Sequence, residues 1–286
     1  MELHWPLILF TSFAAASAGL FCVQGIYIVA GKGQKVQKPA TISSLVLLVI
    51  GGIAVFFHLQ HWERIFNGFG HITSGITQEL ICIVILAILM ILALVLLRRG
   101  DLPKWLGVLA IIFGIVLTIV MGLSYTVSAR PTWNTIAQPL SLFGAAAAFG
   151  VGVFGYLARD DEDASAYMGK WAIAGTALNA AFTVIYVAVI ASAAKSFTDM
   201  GSYFDPSRPT AAMSDASAYS PFAAGAIAPT VISIILAVLA LVFAVMGARS
   251  KNWRVYGICI AVCAFVGAIL LRVVFFASGG SVFMFY

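Results

Sequence analysis

Charge is the scarcest thing in this sequence. Only 9% of its 286 residues are Asp, Glu, Lys or Arg, while 62% are hydrophobic. A soluble domain carries about 25% charged residues. A chain of this length buries a large core in water only by covering it with polar surface, and that surface is missing. Lipid must be the solvent for most of the exterior.

Other absences narrow the chemistry. The four cysteines, Cys22, Cys82, Cys259 and Cys263, all lie in apolar runs, and no two are spaced C-x-x-C. An iron–sulfur cluster takes four thiolates, so none is expected in this chain, and small apolar packing residues are the expected role. There are four histidines, His4, His58, His61 and His71. Haem held between helices needs two histidines facing each other at one depth. His58 and His61 fall on one helix in this reading, and His4 is expected to lie in the water, so no haem is expected. No charge falls at the middle of an apolar run, and no internal repeat joins the two halves. Each of those would point to a transporter. Met1 to Trp5 carry no basic residue, and the first apolar run is too long for a signal-peptide core. The first span is therefore expected to stay in the mature protein.

What the sequence does have is apolar blocks of helix-spanning length. About 20 apolar residues cross the hydrocarbon layer as a helix. Such blocks run at 6–29, 41–59, 77–97, 104–125, 134–157, 170–192, 226–247 and 253–276. A lipid-facing barrel would instead show alternating segments of about 10 residues. The sequence thus predicts an all-α integral membrane protein, a single-domain bundle of eight transmembrane helices. Glycine and alanine recur inside the blocks, as in Gly144 to Ala148, Gly150, Gly152 and Gly155. Small residues let helix backbones approach closely in lipid.

The basic residues set the expected orientation. Lys32, Lys35, Lys38, Arg98, Arg99, Lys104, Arg159, Lys170, Arg249, Lys251 and Arg254 fall on the odd-numbered loops. Only Arg64, Arg130, Lys195 and Arg208 fall on the even ones. The positive-inside rule puts the odd loops in the cytoplasm and both termini outside. The net charge of +5 then records topology and needs no nucleic acid. Tryptophan agrees with the map: Trp5, Trp62 and Trp133 fall at outer span ends, and Trp105, Trp171 and Trp253 at inner ends. Its ring is apolar and its N–H wants a partner, which suits the interface. The acidic run Asp160 to Asp163 reads as a solvated inner loop.

The outer side holds the candidate chemistry. The longest loop, 193–225, lies there and contains Tyr203, Phe204, Asp205, Pro206, Arg208 and Tyr219. Its aromatic and proline content suits a docking surface. All four histidines are on this side. His58 reads as the last outer turn of span two, with His61, Trp62 and Arg64 just beyond; Glu79 opens span three, and Arg272 lies near the outer end of span eight. Burying a charge in lipid is costly, so Glu79 and Arg272, the most immersed charges, are candidates for function or for pairing with another polar group. A quinol headgroup has two hydroxyls that lose protons as electrons leave. A site for it needs an apolar slot open to lipid, hydrogen-bond acceptors and a proton exit. His58 and Glu79 at one interface supply an acceptor and a relay carboxylate.

Several motifs resemble the anchor subunits of the dimethyl sulfoxide reductase family. Glu2-Leu3-His4-Trp5-Pro6-Leu7 is similar to that family's opening. The stretch from His58 to Asn67 resembles its "HLGxPxRAFN" segment, and Ser74 and Glu79 fall where the family has a Ser-rich turn and a Glu. Pro131-Thr132-Trp133 with Pro139 is similar to its "PTW…P", and Gly267, Arg272, Phe275 and Phe276 resemble its "GExxGRxxF" ending. The likeness is collinear over nearly the whole chain.

That resemblance implies a haem-free anchor in the bacterial cytoplasmic membrane. Such anchors hold a molybdopterin catalytic subunit and a four-cluster iron–sulfur subunit, bind menaquinol and pass its electrons to the nearest cluster. It implies a quinol-binding role for His58 and Glu79, with Arg64 holding the outer loop or meeting the partner. Arg272 is added to the expected quinol site, and His61, Trp62, Tyr203 and Arg208 to the expected docking surface. The sequence also departs from the pattern: Gln60 and Trp62 replace a Gly and a Pro, His61 is extra, and Ala268 stands where the family has Glu. A multi-span transporter and a purely structural anchor are the alternative readings.

Overall fold

The computed structural model describes residues 3–59, 61, 67, 70–194 and 219–280. Eight helices run through them: α1 (Trp5–Ala30), α2 (Gln34–Phe56), α3 (Gly75–Leu96), α4 (Lys104–Leu123), α5 (Ala137–Leu157), α6 (Glu162–Ala193), α7 (Ile227–Ser250) and α8 (Trp253–Ala277). All eight are long and apolar enough to cross a membrane. No strand occurs among the described residues.

The helices form two rings of four. In the first, α1 packs on α2 and α4, and α3 closes the ring against α4 and, more lightly, α2. In the second, α5, α6, α7 and α8 pack in succession and α8 returns to α5. The rings share a wall made chiefly by α1 and α5. That wall explains the small residues. A methyl group added at Gly19 would strike the backbone of Ala146, and one at Gly150 would strike that of Gly19. The two backbones touch because neither carries a side chain there, which is how helices pack without a hydrophobic driving force.

Two helices start earlier than their apolar blocks. The polar segment Gln34 to Ala40 is already helical, and Pro39 falls inside it. Gln37 is buried here because the Gln24 amide donates to its carbonyl at 3.0 Å and to Thr41 Oγ1 at 2.7 Å. Gly31 and Gly33, both at φ 67°, form the turn between α1 and α2. Helix α6 begins at Glu162, within the acidic run read above as a loop. Asp161 caps it by accepting from the Ala164 N–H at 3.0 Å, and Glu162 and Asp163 in the first turn suit the positive end of the helix dipole. Asp160 pairs with Arg159 at 3.2 Å and faces Arg254 at 3.6 Å.

Four of the tryptophans sort into two groups. Trp5 and Trp105 are half exposed at helix ends, as an interfacial role requires. Trp133 and Trp253 lie at the expected levels but face inward, and each indole N–H finds a carbonyl: that of Phe275 at 2.7 Å and that of Ser165 at 3.1 Å. They fasten helix ends to each other and are not anchors in lipid. Trp62, Arg64, Lys195, Tyr203 and Arg208 lie outside the described residues.

Candidate functional site

The antiparallel helices bring the start of α1, the end of α2, the starts of α3 and α5 and the end of α8 to one end of the bundle. His4, His58 and His71 gather at that end. Two buried charges of opposite sign, Glu79 and Arg272, lie beneath it, each only 5% exposed.

Glu79 sits in the second turn of α3. One oxygen, Oε2, accepts from Ser124 Oγ at 3.2 Å at the end of α4. The other, Oε1, is buried and has no protein partner. A buried acceptor left unpaired is costly, so this oxygen is available to a ligand that can donate.

Arg272 is tied down more thoroughly. Its Nε donates to Thr11 Oγ1 on α1 at 3.0 Å, and the Thr11 hydroxyl donates to the Leu7 carbonyl at 2.8 Å. One amide atom of Gln138 on α5 lies 2.6 Å from Arg272 Nη1 and the other 2.6 Å from the Gly122 carbonyl, and the assignment that satisfies both turns the oxygen to the guanidinium and the nitrogen to the carbonyl. The guanidinium also lies over the rings of Tyr125, at 5.0 Å, and Phe275, at 4.8 Å. Side chains from both rings of helices thus converge on one cation. Glu79 and Arg272 act on each other electrostatically but form no direct ion pair among the described residues.

An aromatic string connects this pair to the histidines. Tyr125 meets Phe276 edge-on at 6.5 Å, Phe276 meets His4 at 5.6 Å, and His4 meets His58 edge-on at 5.6 Å. No hydrogen bond or ring contact joins His58 directly to Glu79 among the described residues. Partial desolvation and, second, the charge of neighbouring His4 hold the His58 imidazole below its ordinary value. It is therefore neutral near pH 7 and able to accept a hydrogen bond. Desolvation, reinforced by the Glu79 charge and opposed by Arg272, pushes the Tyr125 phenol up.

The position of His58 corrects the sequence reading. Helix α2 ends at Phe56, so His58 lies in the turn that follows it and not in the helix, and His61 lies farther along the same connection. His4 is exposed, as expected, yet it touches His58. Thr11, Ser124, Tyr125 and Gln138 belong to the site and were not singled out by sequence. Neutral polar residues are common in apolar helices, and only the fold distinguishes these four. No group of three or more metal-binding side chains occurs among the described residues.

Comparison with known proteins adds one match and one blank. Residues 1–278 match the family model described as DMSO reductase anchor subunit (DmsC). No curated protein matches the chain.

Proposed function

This chain belongs to the DMSO reductase anchor subunit (DmsC) family, and from that premise we propose that it oxidises menaquinol at the histidine end of the bundle. In this reading the chain lies in the bacterial cytoplasmic membrane with both termini outside. It holds a molybdopterin catalytic subunit and a four-cluster iron–sulfur subunit on the outer face, and the iron–sulfur subunit takes the electrons.

The observation that carries the proposal is Glu79: a buried carboxylate with one oxygen unpartnered, next to a buried arginine, within a lipid-embedded bundle. Quinol is an apolar ring carrying two O–H donors. Neutral His58 accepts from one hydroxyl, and Glu79 Oε1 accepts from the other side of the site and takes up a proton as electrons leave. Arg272 offsets the negative charge that develops on the quinol oxygen, a role a fixed cation fills well in a low-dielectric site. The exposed apolar side chains of Phe57, Ile72 and Ile76 beside this end give the ring a way in from lipid.

Native purification in mild detergent, with identification of every bound protein, tests the anchor role. The expected result is a complex containing a molybdopterin protein and an iron–sulfur protein, active with menaquinol. A chain recovered alone at full yield would overturn the anchor role and favour a transporter. An intact complex that binds no quinol analogue would leave a purely structural anchor.

A further inference from the structure

Beside Arg272, and away from Glu79, lie two small adjoining cavities. One is lined by Ser141, Leu142, Ala145, Tyr186, Leu271 and Arg272, among others. The other is lined by Ser12, Ala16, Phe149 and Phe265, among others. Leu142, Ala145 and Ala268 border both, so the two adjoin as a divided chamber between α1, α5, α6 and α8. Each has a volume of about 10 Å³, which is close to the space one water requires.

The walls are mostly apolar, yet they carry buried polar groups that the protein leaves unsatisfied. Three buried polar atoms at this chamber have no protein partner: Arg272 Nη2, the Tyr186 hydroxyl and Ser12 Oγ. Ser141 Oγ donates to the Gln138 carbonyl at 2.7 Å, which leaves its lone pairs free to accept. In the hydrocarbon region an unsatisfied polar group costs several kcal/mol, and three around one chamber are a strong demand for a small ligand that both donates and accepts.

We propose that the chamber is an internal hydration site. One water accepts from Arg272 Nη2 and from the Tyr186 hydroxyl and donates to Ser141 Oγ, and a second occupies the cavity beside Ser12. The chamber is too small for a quinol ring, and Glu79 already acts on Arg272 electrostatically, so water suits the donor set better than an anion. Tyr186 thereby becomes a positioning residue. It acts through the water to hold the guanidinium turned toward Thr11, Gln138 and Glu79. Ala268, one helical turn before Arg272, keeps the chamber open. A glutamate there, as in the family pattern, would reach Arg272 as an i, i+4 partner and displace the water.

The test is a map of the purified complex at a resolution that resolves ordered water, for the natural chain, Y186F and A268E. The expected result is density bridging Arg272 and Tyr186 in the natural chain, weakened in Y186F and replaced by a carboxylate in A268E. A chamber with no density, or one closed by direct Arg272–Tyr186 contact, would overturn the hydration site. The positioning role rests on the quinol reading and is read separately, from turnover. Y186F is expected to lower kcat about tenfold, with no further loss when added to R272Q, as residues of one network are non-additive. Independent, additive losses would overturn it. A natural complex that oxidises no quinol would refute the quinol reading while leaving the density to decide the hydration site.

Discussion

Trp133 stacks on Phe275 with ring centroids 4.3 Å apart and planes 14° from parallel, and its indole N–H donates to the carbonyl of the same residue at 2.7 Å. One residue earlier, Thr132 Oγ1 donates to the Ser278 carbonyl at 2.6 Å. Arg130 covers the outer side of the indole at 4.1 Å. The short segment before α5 therefore clamps the end of α8, the helix that carries Arg272.

The clamp predicts a graded loss of stability. W133A removes a buried aromatic and is expected to cost about 3–5 kcal/mol, the usual range for such truncations. W133F keeps an aromatic ring on Phe275 but loses the hydrogen bond and part of the indole's packing, and is expected to cost less, about 1–3 kcal/mol. Unfolding followed in detergent checks both values. Equal losses in the two variants would show that the ring contributes little.

The wall between the two rings of helices predicts an assembly defect. Gly19 and Gly150 let α1 and α5 meet backbone to backbone, and no side chain fits between them. G150L is expected to abolish the monodisperse protein, whereas G52L, at a position with open space around it, is expected to leave it unchanged. Size-exclusion profiles of the two variants distinguish a specific contact from general intolerance.

The pH dependence follows from His58. Its imidazole is held below the ordinary value, first by desolvation and then by the His4 charge. The neutral form is the acceptor. Quinol oxidation should therefore persist through neutral pH and fall only as pH drops through that lowered value. H4F keeps the ring but removes the charge, so the acid limb is expected to move to higher pH, though only part of the way, since desolvation remains. A profile measured on both forms checks the direction. A limb that stays put would show that His58 does not control it.

Arg272 should be intolerant of a change in shape. Its bonds to Thr11 and Gln138 diverge from one planar group, a geometry that an ammonium does not copy. R272K is expected to lower turnover nearly as far as R272Q does, with partner subunits still bound. Recovery of full activity by lysine would reduce its role to charge alone.

Much of this architecture can be read from the chain because lipid simplifies the problem. Eight apolar blocks are eight helices, since no other open element satisfies its backbone in hydrocarbon. Glu79 and Arg272 stand out for the same reason: a charge among apolar residues needs a cause. The helix starts were harder. Hydropathy marks where lipid begins, not where hydrogen bonding does, so the buried Gln37 and the Asp161 cap extended α2 and α6 beyond their apolar blocks. Gln138, Tyr125 and Tyr186 were illegible because one glutamine or tyrosine in an apolar run carries no sign of what it faces. His58 stands out as a residue, but its apolar neighbours extend the apparent helix past its true end at Phe56.

In the proposed reading, Glu79 and His58 at the histidine end of the bundle handle quinol protons while the rest of the chain serves as scaffold. The direct measurement is the menaquinol oxidation rate of complexes carrying E79Q or H58A, matched for bound partner subunits. E79Q preserves the side chain's size and its place beside Ser124 and removes its charge and its ability to take a proton. A loss of roughly 10²- to 10⁴-fold, the usual worth of a positioned acid–base group, with assembly intact is the predicted result in both variants. An unchanged rate in E79Q would contradict the account.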